Sequence, residues 1–304
     1  MAKLAKVMDE KGLVPEDRWK KVIDSLKDKA KGSPDKERLK HAIIEAVKKR
    51  VPKEHFGLFF SGGVDSSLLA LICKQLGLKF TCYTVGFKSE EGELPNDIWY
   101  AREVAKKLEL NHVEKVFNLK EASEMMKKAM KIFPLPDKWD TTYFVTLDVA
   151  SVIIAATYIA KEKVFFGGLG SEEIFAGYKR HEKSSDINEE CWKGLKEMWS
   201  RDLFRDVTLG GALKIDLLVP FLDEDVVVEA MKFSGEHKIK GEHKKVILRE
   251  IAEEMGLPKE FAWRKKQGAQ YGSKFDVAIE KLRRMNKFET KREYVESLAK
   301  VKKV

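Results

Sequence analysis

The chain has 304 residues, 43% hydrophobic and 35% charged, with 58 Lys+Arg against 49 Asp+Glu for a net charge of +9. That is enough apolar material for one large domain or two smaller ones, and no apolar run reaches the ~20 residues of a membrane span. The basic residues are interleaved with glutamates, which reads as a solvated surface and counts against nucleic acid; a smaller polyanion needs only a local basic cluster.

The N-terminal "MAKLAKVMDEKG" has no apolar h-region, so the expected location is cytoplasmic, with no membrane partner. Residues 1–50 read as a helical extension. Trp19, Val22, Ile23 and Leu26 recur at helical spacing, and Ser33-Pro34-Asp35 reads as an N-cap, a proline at N1 and an acid in the first turn of the next helix. From Pro52 onward, strands and helices alternate. Strand 56–60 precedes helix 65–76, and strand 79–87 precedes a polar loop and a helix. Strand 112–118 precedes another helix, and a long apolar helix, "TLDVASVIIAATYIAKE", leads to strand 163–170. Such alternation with near-continuous apolar strands implies an α/β fold, a parallel sheet with helices on both faces. After about residue 175 the pattern reads as helical to the end. The expected organisation is therefore the extension 1–50 and a single domain over 51–304.

Cys73, Cys82 and Cys191 form no CxxC pair and fall in apolar surroundings, so they read as small core residues rather than metal ligands or disulfides. The chemistry concentrates elsewhere. In "GLFFSGGVDSS" a buried strand runs into two glycines, an aspartate and three serines before an apolar helix. Glycines free backbone N–H groups to converge on one point, and the helix N-terminus adds partial positive charge. Serine hydroxyls add donors, and Asp65 can hold Mg²⁺ beside phosphates. A tight turn with a capping residue needs one serine and one glycine, so this stretch carries more than a cap requires. It is neither a Walker A loop, because no GK[ST] follows, nor GxGxxG.

The SGGxDSS pattern resembles the pyrophosphate-binding loop of ATP pyrophosphatases. Together with "TVGF", "FFGGLGSEEIFAGYKRHE", "LLVPFLDEDVVVEAM" and "HKKVILREIAEEMGLPKEFAWRKKQ", in that order, it resembles the synthetase domain of asparagine synthetases over roughly residues 38–275. The tail "QGAQYGSKF" looks closest to stand-alone asparagine-synthetase-domain-containing proteins that lack the glutaminase domain. The resemblance implies an adenine nucleotide alpha-hydrolase-like fold. It also implies a ligase that adenylates a carboxylate with ATP and Mg²⁺ and then passes it to ammonia or another amine. By the same resemblance Ser61, Gly62, Gly63, Asp65, Ser66 and Ser67 hold the phosphates, Phe59 and Val85 line the adenine pocket, and Gly167 and Gly168 contact the nucleotide. Asp65 and Glu172 match the two metal-binding acids, although the family prefers aspartate where Glu172 stands. Lys245 matches the lysine that neutralises charge developing on the phosphates, Lys266 matches a second basic position of the catalytic set, and Asp216 matches an acid of that set.

The departures lie on the acceptor side. Where the family has glutamate in Ser-Gly-Glu-Gly-Ser-Asp-Glu, this chain has Leu169, and Leu218 replaces an arginine ahead of Pro220-Phe221-Leu222-Asp223. Asp140-Thr141-Thr142-Tyr143 lacks the arginine of the family's Thr-Thr-x-Arg. An aspartate pocket without its arginine pairs a carboxylate poorly, so the residues support adenylation more strongly than they support asparagine as product. Residue 2 is Ala2 rather than a glutaminase cysteine, so the nitrogen is expected from free ammonia, another amine or a separate glutaminase subunit. A homo-oligomer is left open. Two other readings remain at this stage: an RNA-modifying enzyme of the same loop superfamily acting on tRNA, and a non-catalytic ATP-binding homologue.

Overall fold

A computed structural model describes residues 8–9, 12–137, 139, 141–265 and 268–300. Its centre is a five-stranded parallel sheet of β1 (Phe56–Phe59), β2 (Phe80–Phe87), β3 (His112–Phe117), β4 (Val164–Phe166) and β5 (Asp216–Leu218), in the spatial order β3-β2-β1-β4-β5. All eight residues of β2 are buried, as a parallel strand covered on both faces requires.

Side chains alternate across the pleat. Leu58, Phe60 and Cys82 enter one apolar cluster with α1 (Glu16–Lys29), α2 (Lys36–Lys48), α3 (Val64–Gln75) and α4 (Asn96–Lys107). Val85, Phe87 and Phe117 enter a second with α5 (Leu119–Ile132) and α6 (Thr141–Ile159). After the short α7 (Ser171–Ile174), α8 (Ile187–Glu197) joins the first cluster and α9 (Phe204–Leu213) the second. Beyond β5, α10 (Glu224–Met231) and α11 (Val246–Glu254) extend the first, while α12 (Phe275–Met285) closes the second. Trp19, Ile23, Leu39 and Val47 of the first fifty residues belong to the same core as β1.

Two expectations are corrected. Strands do not stop near residue 175: β5 pairs in register with β4, Val164 opposite Asp216 and Phe166 opposite Leu218, and a small hairpin joins Ile239–Lys240 to His243–Lys244. A three-residue strand shows no period in the sequence; only pairing reveals it. The second helix is capped by Asp35, whose carboxylate accepts from the Arg38 N–H at 3.0 Å, so it begins two residues later than a Ser33 cap implied.

The segment Thr142–Ile159 of α6 is long and apolar enough to cross a membrane, with mean hydropathy 1.6. Here it packs on α5, α9, α12 and β2, burying Leu147, Ala150, Ile154, Ala155 and Ala156.

Candidate functional site

In a parallel sheet with this strand order, the crossovers from β1 and β4 leave on opposite sides. The crevice outside their carboxyl ends is where such sheets hold ligands. Both glycine-rich stretches lie there, one after β1 and the other after β4.

In the first, Gly62 has φ +65°, and a Cβ there would lie 2.7 Å from the Ala101 nitrogen, so only glycine lets the turn rest on α4. Gly63 caps α3 without a side-chain hydrogen bond. The serines are ordered by one another: the Gly63 N–H donates to Ser61 Oγ at 3.3 Å, and the Ser66 hydroxyl donates to the Gly63 carbonyl at 3.2 Å. Ser67 Oγ is buried with no partner among the described residues.

The second stretch touches the first. A Cβ on Gly168 would lie 3.1 Å from Asp65 Cβ, and one on Gly167 would lie 4.0 Å from the Phe59 ring. Phe59 stacks on Phe165 at 4.7 Å between centroids and pairs with Tyr83, which puts it on the same sheet face as Val85. Gly170 then turns at φ +94° into α7, which carries Ser171 and Glu172.

Lys245 joins the two stretches. It sits at φ +58°, ψ +34° at the start of α11, a conformation uncommon for a side-chain-bearing residue, and is 1% exposed. Its Nζ donates to Asp65 Oδ1 and Oδ2 at 2.8 and 2.7 Å, to Ser171 Oγ at 3.0 Å and to Glu172 Oε1 at 2.5 Å. Burial penalises the ammonium, but Asp65 and Glu172 more than offset that, so its pKa is raised and it stays charged.

The structure thus brings together Phe59, Ser61, Gly62, Gly63, Asp65, Ser66, Gly167, Gly168, Glu172 and Lys245, with Ser67 one turn into α3 and Val85 buried on the neighbouring strand. Asp216 is not brought in. It is exposed at the amino end of β5, opposite Val164, while Gly167 follows the carboxyl end of β4. Lys266 lies outside the described residues.

Three contributors escaped the sequence reading. Gly177 leaves the space that the ion pair fills: a Cβ there would lie 1.8 Å from Glu172 Oε2 and 2.6 Å from Lys245 Cε. Ser171 supplies a fourth oxygen to Lys245. Arg264 is buried beside Gly63 and paired with Asp97 at 3.0 Å. The glycine in "FAGYKR" and the arginine in "AWRKKQ" were the available signals, but neither shows in sequence what it packs against.

Deeper in the same region, burial raises the Glu173 carboxyl to about 7, with Asp202 and Glu172 adding to the effect. Burial also pushes the His181 imidazole down to about 4, with Arg180 adding to it.

The donor set can be matched to chemistry. Among the described residues no cluster of three or more His, Cys, Asp or Glu could hold a metal by itself. Two carboxylates bound to one ammonium are hard oxygen donors, and that set fits Mg²⁺, which takes one or two carboxylates and completes its shell with phosphate oxygens and water.

A family model described as asparagine synthase matches residues 38–186 and 181–296. A putative glutamine-hydrolyzing asparagine synthetase of Methanocaldococcus jannaschii is 31% identical over 84% of this chain and 53% of its own length. The glutamine-hydrolyzing asparagine synthetases of Gallus gallus and Rattus norvegicus are 31% and 32% identical, over 75% and 78% of this chain and 41% and 43% of theirs. The chain spans about half the length of these curated relatives or less. Among solved structures, an NMN synthetase from Francisella tularensis is 12% identical with a TM-score of 0.32, covering 81% of this chain and 94% of that one. A predicted tRNA methyltransferase subunit from M. jannaschii is 17% identical with a TM-score of 0.30, covering 70% and 94%. These structural likenesses are too loose to add to the fold described above.

Proposed function

Because this chain belongs to the asparagine synthase family, we propose that it is an ATP-dependent carbon–nitrogen ligase that adenylates a carboxylate, releases pyrophosphate, and forms an amide as an amine displaces AMP. The observation that carries this reading is the Asp65–Lys245–Glu172 arrangement clasped between two glycine-rich turns at the carboxyl edge of the sheet.

The N–H groups of the first turn of α3, with Ser61 and Ser66, bind the phosphates. Phe59, whose ring edge comes within 4.0 Å of where a Cβ on Gly167 would stand, packs beside the adenine. A carboxylate oxygen attacks the α-phosphorus, the bond to the bridging oxygen breaks, and pyrophosphate leaves with the electron pair. Lys245 holds positive charge, screened from water, beside the group on which negative charge gathers. Asp65 and Glu172 are the residues that hold Mg²⁺, which when bound supplies further charge neutralisation to the phosphates. In the second half-reaction the amine nitrogen bonds to the acyl carbon, AMP leaves and a proton is lost.

The carboxylate is one other than aspartate. Leu169 and Leu218 stand where the resemblance expects a glutamate and an arginine, and both pack against the apolar core. The nitrogen comes from ammonia, another amine or a separate glutaminase. The reaction is expected in the cytoplasm. A tRNA-thiolating reading loses support from the cysteines: Cys73, Cys82 and Cys191 are all buried, and burial raises each thiol.

The test is ATP–pyrophosphate exchange across a panel of carboxylates. Exchange with one carboxylate and not with aspartate is the expected result. Exchange with none, in protein shown to bind ATP, refutes adenylation and favours a non-catalytic nucleotide binder.

A further inference from the structure

Arg264 is 7% exposed and its Nη2 donates to Asp97 Oδ1 at 3.0 Å. Its guanidinium lies 4.2 Å over the Tyr100 ring, and Nη2 comes within 3.9 Å of the position a Cβ on Gly63 would take. Yet Nε and Nη1 are buried with no acceptor among the described residues. A buried donor without an acceptor gives up the hydrogen bond it would make to water, a loss that is larger for a charged group. Asp97 does not absorb the remaining donors. It is 4% exposed, and its carboxylate lies against Gly272, where a Cβ would come within 2.4 Å of both oxygens.

The segment bearing Arg264 is also fixed to the turn bearing Lys245. Arg249 donates from Nε to the Lys244 carbonyl at 2.6 Å, and from Nη1 to the carbonyls of Ala262 at 2.5 Å and Arg264 at 3.0 Å. One buried arginine therefore holds the two cation-bearing segments together, Lys245 against the Asp65 end of the glycine-rich turn and Arg264 against Gly63.

We propose that Arg264 is a second phosphate-binding cation of this site, its unspent N–H groups taking oxygens of the pyrophosphate portion of ATP at the Gly63 end of the loop. This rests on the ATP reading above. A guanidinium suits the role because its planar fork binds two phosphate oxygens at once, whereas an ammonium acts as a point charge. Asp97, Tyr100 and Arg249 are positioning residues: they set the plane of the fork and touch no phosphate.

The experiment is calorimetric titration of wild type, R264Q and R264K with inorganic pyrophosphate, ATP and adenosine, in Mg²⁺ buffer, with thermal melts alongside. R264Q is expected to weaken pyrophosphate and ATP at least tenfold and to leave adenosine unchanged, a selectivity that a merely structural arginine would not produce. R264K, which keeps the charge and loses the fork, is expected to weaken pyrophosphate at least threefold, and it decides the matter if R264Q does not fold. Wild-type affinity for pyrophosphate in either folded variant overturns the inference alone, as does equal weakening of adenosine. Wild-type protein that binds neither ATP nor pyrophosphate overturns the ATP reading and this inference with it.

Discussion

At the carboxyl ends of β1 and β4, two carboxylates from distant parts of the chain share one ammonium: Lys245 meets Asp65 at 2.7 Å and Glu172 at 2.5 Å. In the helical layer behind the other face of the sheet, Asp148 of α6 is buried with a different environment. Burial raises its carboxyl to about 7; the Lys291 ammonium pulls it down and Asp276 pushes it up. In the first region the charges converge on one another beside two glycine-rich turns. In the second a charge is simply expensive. The lesson is that burial alone does not mark a site; converging counter-charge beside open, glycine-lined backbone does.

The largest effect is expected from removing the shared cation. K245M should lower pyrophosphate exchange by about 10²–10³-fold, the scale seen when a preorganised charge-stabilising donor is deleted. Loss of the ammonium that the two carboxylates share should also make the variant melt earlier. Added Mg²⁺ should then raise its melting temperature more than that of wild type. A K245M protein with full exchange activity would remove Lys245 from the chemistry.

A smaller loss is expected from G177A, because its Cβ would intrude to 1.8 Å from Glu172 Oε2. Overpacking of this kind destabilises by about 1–3 kcal/mol. The displaced Glu172 should depress exchange even where the fold survives. Denaturant melts and exchange assays together check both halves; an unchanged variant would mean that the space beside the ion pair is not tightly filled.

The smallest effect sharpens the other side of the comparison. The Asp148 carboxyl titrates near 3.8 when unperturbed and at about 7 in the folded chain. Between those values the folded state keeps a proton that the unfolded state releases, so stability falls as pH rises through that window. D148N should therefore melt higher than wild type at pH 8, by about 1–3 kcal/mol, with the advantage fading toward pH 5. A constant difference across that range would show that Asp148 is not the group responsible.

Much of the fold was legible because strand–helix alternation and apolar runs are local signals. Strands β1 to β4 fall within the spans read from the sequence, and the helices between them follow from 3.6-residue spacing. The fifth strand was not legible, since Asp216–Leu218 is a strand only by pairing with β4. The loop at Ser61–Ser67 stood out in the sequence as a candidate site, because its density of small polar residues exceeds what a cap needs. Asp216 illustrates the opposite failure: it lies in a matching motif, yet strand direction carries it to the far end of β5.

The sequence by itself determined the parallel α/β architecture, the glycine- and serine-rich character of the first turn, and the apolar side chains of Leu169 and Leu218. These are properties of short stretches, set by periodicity, glycine freedom and side-chain chemistry. Only the tertiary structure decided that Lys245, 180 residues from Asp65, closes the ion pair. Likewise only the fold placed Gly177 beside that pair and Arg264 against Gly63. A lysine or arginine reads the same along the chain whether it is solvated or buried; its partners and the dielectric around it exist only after the chain has folded.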